Sequence, residues 1–293
     1  MWLCTLAGVY VTDRLVYLQL HKTASTHIEH VLADAFGGEK IGKHNRLDFD
    51  PGDRLVFGSV RNPWSWYVSL WTFGSLRKSG RMYSWATHDR PRRRGIVGRS
   101  RTEITDGRRD LRRAWIEFAA ERRRPVEEWR YVYGDIDDPN RFRTWLRMMH
   151  DPARAHDLGH DYAGSSIHRI AGLLSFRYLW LFSRDGDAVV APDTFASSQD
   201  LLSFDAEQNL CREVIQIERL TPDLARVLER AGYDRSHPRV MQAEEASRST
   251  KNVSRRHPIA YYYDADSVEL VRAREQLVIQ RYGYEPPALD NAS

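Results

Sequence analysis

The sequence predicts an α/β protein with a central parallel sheet flanked by helices, and three observations predict it. Two strand-like apolar segments, Leu15 to Leu20 and Leu55 to Val60, each run through a short polar turn into a helical pattern. A later strand-like segment, Val214 to Ile217, is again followed by a helical one. Such alternation builds parallel strands joined by crossover helices. Finally, 293 residues with 42% hydrophobic and 11% aromatic content can bury a sizeable core.

The elements follow in order. After the first strand, Ile28, Val31, Leu32, Ala35 and Phe36 recur at helical spacing and place one apolar stripe against the sheet, and Gly37-Gly38 ends the helix. Thr26 with Glu29 three residues on reads as a capping box. After the second strand, Asn62 and Pro63 suit the N-cap and first-turn positions of a helix from Pro63 to Phe73. Its stripe of Trp66, Tyr67, Leu70 and Trp71 reads as core. Helical patterns follow near 110–123 and 139–150. Thr221 and Pro222 open a helix to Ala231 that Gly232 stops, and a last helix is expected from Asp264 to Tyr282.

The chain is read as one domain, 1–293, carrying an Arg-rich excursion at about 77–130. That segment holds 17 of the 44 Lys/Arg but 8 of the 40 Asp/Glu, so it is strongly basic while the remainder is net acidic. Charge clustered this way speaks to association and says little of chemistry. Trp85, Trp115 and Trp129 interleave with its arginines, yet no nucleic-acid-binding motif accompanies them, and no nucleic-acid partner is expected. The apolar stretches are too short to cross a bilayer or to form a secretory core, which reads as a soluble cytoplasmic protein. Cys4 and Cys211, without CxxC or metal-type spacing, suggest neither a disulfide framework nor a zinc site. Nothing in the sequence sets the oligomeric state.

The first strand-to-helix turn is His21-Lys22-Thr23-Ala24-Ser25-Thr26. Helix N-H groups, the positive end of the helix and the Lys22 side chain together make an anion site. The turn lacks the glycines with which a Walker loop wraps two or three phosphates around Mg²⁺, so it suits one phosphate and no metal. In the second turn Arg61 sits at the strand end and Ser69 about two helical turns on. Neighbouring parallel strands bring such turns to the same rim, so two separate monophosphate sites are expected side by side.

These two turns resemble those of sulfotransferases that use 3'-phosphoadenosine 5'-phosphosulfate (PAPS). Lys22-Thr23-Ala24-Ser25-Thr26 looks like that family's 5'-phosphosulfate loop, and Arg61-Asn62-Pro63 with Ser69 looks like its 3'-phosphate motif. The strand and helix from Val214 to Gly232 are similar to a segment that these enzymes place late in the domain, and Lys251-Asn252-Val253-Ser254-Arg255 with Tyr261-Tyr262-Tyr263 and a final helix looks like the C-terminal region of the carbohydrate-type branch more than of the cytosolic small-molecule branch. The resemblance implies a P-loop-like three-layer fold and PAPS as cofactor, leaving as 3'-phosphoadenosine 5'-phosphate (PAP), without a required metal. It implies that Lys22 meets the bridging oxygen, that Ser69 contacts the 3'-phosphate and modulates the lysine, and that Arg61 pairs with the 3'-phosphate. Lys251, Asn252, Ser254 and Arg255 would close over the cofactor's 3' side. Where the cytosolic branch stacks a tryptophan on adenine, this chain has His27.

A hydroxyl acceptor also needs a general base with a pKa near working pH. His44, in Lys43-His44-Asn45-Arg46-Leu47 between the two motifs, is the candidate, with Asp48 and Asp50 behind it. The resemblance implies an acceptor hydroxyl, with an amine as second choice, on a glycan, a glycolipid or a small hydroxylated metabolite. The basic segment suits an acidic or already sulfated acceptor and equally suits the charge of the cofactor. The alternatives are a P-loop-type phosphotransferase, which requires Mg²⁺-dependent nucleotide turnover, and a basic nucleic-acid-binding module.

Overall fold

The computed structural model describes residues 8–41, 46–78, 80–88, 115, 118–248 and 256–289. Strands β1 (Val9–Val11), β2 (Leu15–Leu18), β3 (Glu39–Ile41), β4 (Leu55–Val60) and β5 (Glu213–Gln216) form one open sheet in the order β3-β1-β2-β4-β5. The expected parallel sheet exists only over β2, β4 and β5; β1 pairs antiparallel with both β2 and β3, so the sheet is mixed. The reason is local. Thr12 to Arg14 is too short a link for a crossover, so the chain turns straight back into β2 as a hairpin. The Thr12 hydroxyl accepts from the Leu15 N-H in that turn.

Helices cover both faces. Leu15, Tyr17, Leu55, Phe57 and Ile215 pack under α1 (Ser25–Phe36) and two later helices, Leu220–Arg230 and Pro238–Arg248. Val16, Leu18, Val56 and Val60 face the other way, into the larger core with α2 (Pro63–Arg77). This alternation is the period of a strand with both faces buried. That larger core also takes α3 (Arg81–Ala86), α4 (Val126–Val132), α5 (Pro139–His150) and α6 (Leu173–Phe182). Gly58 on β4 is required there, since a Cβ would lie 2.4 Å from the Phe182 ring. No helix among the described residues is long and apolar enough to cross a membrane.

Several boundaries differ from expectation. The helix after β5 begins at Leu220 with Arg219 as an uncapped N-cap, because the Thr221 hydroxyl is spent on Ser247 at 2.7 Å. Gly232, at φ 81, ends that helix as expected. The final helix is broken into Ala265–Arg274 and Gln276–Tyr282, and Glu275 stands at the break. Its carboxylate is fully buried and accepts from the Tyr67 hydroxyl of α2, from Ser175 Oγ (2.6 Å) and from the first N-H groups of α6, Leu174 (3.3 Å) and Ser175 (2.9 Å). A carboxylate there neutralises the positive end of α6 and pins three elements together. The short helices between Pro152 and Gln208 were not expected from the sequence.

Candidate anion-binding site

The carboxyl ends of β2, β4 and β5 share one rim because the three strands run parallel. Lys22, Arg61 and Glu218 follow them.

The first loop is held from beneath by hydroxyls. Thr23 is fully buried, and its hydroxyl donates to the Leu20 carbonyl at 2.7 Å and meets Ser59 Oγ at 2.7 Å. Ser59 in turn meets the Tyr17 hydroxyl at 2.6 Å. Burial raises the Tyr17 pKa, so this phenol stays a neutral hydrogen-bonding group. The Thr23 side chain therefore serves the scaffold, and what Thr23 presents to a ligand is its backbone.

Three consecutive carbonyls of the loop are drawn toward the protein. His21 O accepts from Trp66 Nε1 (2.7 Å), Lys22 O from the Arg61 guanidinium (3.3 Å) and Thr23 O from Ser59 Oγ (3.2 Å). In a trans peptide the N-H points opposite to the C=O, so the N-H groups of Lys22, Thr23 and Ala24 turn to the other side. Lys22 (φ 64) and Ala24 (φ 55) adopt the left-handed region without being glycine. That conformation costs on the order of 1 kcal/mol or more per residue and recurs at ligand-binding loops. Left-handed residues placed in a turn gather N-H groups into an anion-binding nest. Strain here does the work that glycines do in a Walker loop.

The expected capping box does not form. Helix α1 starts from Ala24 with no side-chain cap, and its first turn carries no acidic residue. Glu29 is drawn away instead, to Gln19 Nε2 at 2.7 Å and Lys40 Nζ at 2.6 Å, while Thr26 is exposed. The positive end of α1 is thus left to an outside anion. His27 lies half-buried one residue further on, and its Nε2 is buried with no hydrogen-bond partner among the described residues.

The second loop follows expectation more closely. The Asn62 side chain caps α2 by accepting from the Ser65 N-H, and Pro63 fills the first turn. The Arg61 guanidinium donates from Nε to Ser65 Oγ at 2.9 Å and from Nη1 to Lys22 O, which leaves donors of its fork for other partners. Its pKa is pushed down to about 10, first by burial and then by the nearby Arg256 guanidinium; Glu218 and Tyr284 oppose the shift. Burial likewise lowers the Arg256 pKa, and Arg256 has no carboxylate partner among the described residues. Two desolvated guanidinium groups beside each other suit a bound polyanion, although the Glu218 carboxylate also acts on Arg61.

Glu218 ties the rim together by accepting from the Asn62 N-H (2.8 Å) and the Tyr284 hydroxyl (3.3 Å). Asn62 Nδ2 also donates to the Glu285 carbonyl at 2.8 Å. Ser69 is half-buried on α2, and Trp66, Tyr67 and Trp71 are fully buried core residues, as expected.

The structure thus brings Lys22, Thr23, Ala24, Ser25 and Arg61 into one neighbourhood. His44, Lys251, Asn252, Ser254 and Arg255 lie outside the described residues. Arg256 was missed by sequence reasoning, although it directly follows the polar run that was singled out. Glu218 was also missed; its signal was its place after the third parallel strand. A concavity of about 600 Å³ bounded by Glu127, Glu128, Tyr131, Arg147, Asp151 and Arg154 lies on α4 and α5, away from these loops. With three carboxylates against two guanidiniums, it is not suited to a phosphate.

No protein-family model, curated protein or solved structure matches the chain.

Proposed function

We propose that the chain is a PAPS-dependent sulfotransferase with a P-loop-like arrangement of its two anion loops. The observation that carries the reading is the adjacency of these loops, with the Arg61 guanidinium bonded to the Lys22 carbonyl. Each loop suits a single anion, and PAPS presents two, a 5'-phosphosulfate and a 3'-phosphate, on one adenosine. The uncapped α1 with the Lys22 ammonium would take the former; Arg61 with Arg256 would take the latter. Ser69 lies on α2, one turn beyond Ser65, which Arg61 holds.

In transfer, an acceptor hydroxyl oxygen forms a bond to sulfur as the bond from sulfur to the bridging phosphate oxygen breaks. The acceptor proton passes to a base, for which His44 remains the candidate, and PAP leaves with the bridging oxygen's charge. Preorganised donors aimed at that oxygen stabilise the charge as it develops, and a cation with helix N-H groups suffices for this. The acceptor is a hydroxylated glycan, glycolipid or small metabolite. Incubation with ³⁵S-labelled PAPS and a panel of such acceptors tests the reading. Label transfer with stoichiometric PAP release supports it; ATP/Mg²⁺ turnover without label transfer would support the phosphotransferase instead.

A further inference from the structure

Helix α2 carries Ser65, Ser69 and Phe73 at i, i+4 and i+8, a slanting stripe along one face. Ser65 is bonded to Arg61 at one end of the stripe. At the other end the Lys22 ammonium lies 3.9 Å from the centroid of the Phe73 ring. At 1.5 Å per residue these ends are about 12 Å apart along the helix. The backbone of Lys22 is thus fastened at the Arg61 end, by its carbonyl, while its side chain reaches along α2 to an aromatic face at the other.

We infer that Phe73 is a positioning residue for Lys22, holding the ammonium at the sulfuryl-transfer end of the two-loop site by a cation–π contact. This rests on the sulfotransferase reading for its consequence, although the contact itself does not. A lysine is a flexible, strongly hydrated point charge that loses rotamer freedom wherever it is fixed. An aromatic face fixes it without neutralising it, whereas a carboxylate in the same place would compete with the cofactor for the charge. Gly80 packs closely on the ring, where a Cβ would lie 2.8 Å from Phe73 Cε1. Phe73 is one helical turn beyond Ser69 on the same face of α2.

Two measurements on the full chain test this. The chain has five lysines, so uniform ¹³C-lysine labelling gives a spectrum in which Lys22→Arg identifies the Lys22 ε-methylene signal. That signal is expected upfield, shifted by the ring current of Phe73, in the ligand-free protein, and to move toward the position of a solvated lysine in Phe73→Leu. A Lys22 signal already at the solvated position in the unsubstituted protein would overturn the inference, and that arm needs no variant of Phe73 to fold. Titration with PAP should then shift the same signal; an upfield signal that PAP leaves unmoved would count against the sulfotransferase reading and leave the cation–π contact standing. In the transfer assay, Phe73→Leu should lower kcat about tenfold, the size of such a contact expressed as a rate. PAP affinity should stay within about twofold, and Phe73→Tyr should restore kcat. Equal kcat in Phe73→Leu and the unsubstituted protein would overturn the positioning role.

Discussion

The Arg61 guanidinium donates to the backbone carbonyl of Lys22 at 3.3 Å, joining the turn after β2 to the turn after β4. Residues 39 positions apart in the chain thereby share one site. Their separate roles give separate outcomes on substitution.

Lys22 supplies charge where it develops in transfer. Lys22→Ala should lower kcat by roughly 10²- to 10³-fold, as loss of one oxyanion-stabilising donor does. The left-handed backbone at this position strains alanine as it strains lysine, so the melting temperature should change little. Initial rates with labelled PAPS, set beside thermal melts, check both halves.

Arg61 binds in the ground state as well, so Arg61→Ala should show first in affinity. Loss of a charge-assisted hydrogen-bonded pair of about 1.5–3 kcal/mol weakens PAP binding roughly 10- to 150-fold. Arg61→Lys should recover little of this, because an ammonium cannot span Ser65 Oγ, Lys22 O and a phosphate with one planar fork. Calorimetric titration of each variant with PAP gives the comparison.

Glu275 is scaffold. Its four donors, from Tyr67, Leu174 and Ser175, face an acceptor-only group, and Glu275→Gln would turn an amide N-H₂ toward them. The cost should be about 2 kcal/mol or more, a fall in melting temperature of roughly 3 °C or more for a chain this long. PAP affinity well below the new transition should persist.

His150 sets an acid limit to stability. It is buried against Tyr67 and near Arg274, and burial first, then the arginine, lowers its pKa to about 3. Between that value and the ordinary 6.5 the unfolded chain binds a proton that the native chain does not, so stability rises with pH across this window and is flat above it. From pH 6.5 to 5 the native protein should lose up to about 2 kcal/mol through this group. In His150→Phe that part of the slope should vanish, as read from urea midpoints at the two pH values.

How much of this was legible beforehand follows from the range of the forces involved. Both strand-to-helix turns were readable because periodicity, Asn62-Pro63 and the lysine position are local signals. The antiparallel β1 was not, since pairing partners depend on links whose length and geometry must be seen together. Thr26 and Glu29 formed a plausible cap by spacing, but Lys40 and Gln19, brought near by the sheet, offered Glu29 better partners. The break at Glu275 is likewise tertiary: a helical pattern continues through it, yet two other elements, α2 and α6, demand its carboxylate. Phe73 read as one more apolar helix residue until Lys22 was seen to lie on it.

The most direct test of the two-loop site is a thermal melt with PAP in the presence of EDTA. At about 100-fold over its dissociation constant a ligand adds about 2.7 kcal/mol, so PAP should raise the melting temperature of a chain this long by roughly 4–5 °C, and Arg61→Ala should abolish about half or more of that rise at the same concentration. No shift with PAP alongside a clear one with ATP/Mg²⁺, or a PAP shift of equal size in Arg61→Ala, would contradict a site in which Lys22 and Arg61 grip the two ends of one adenosine bisphosphate.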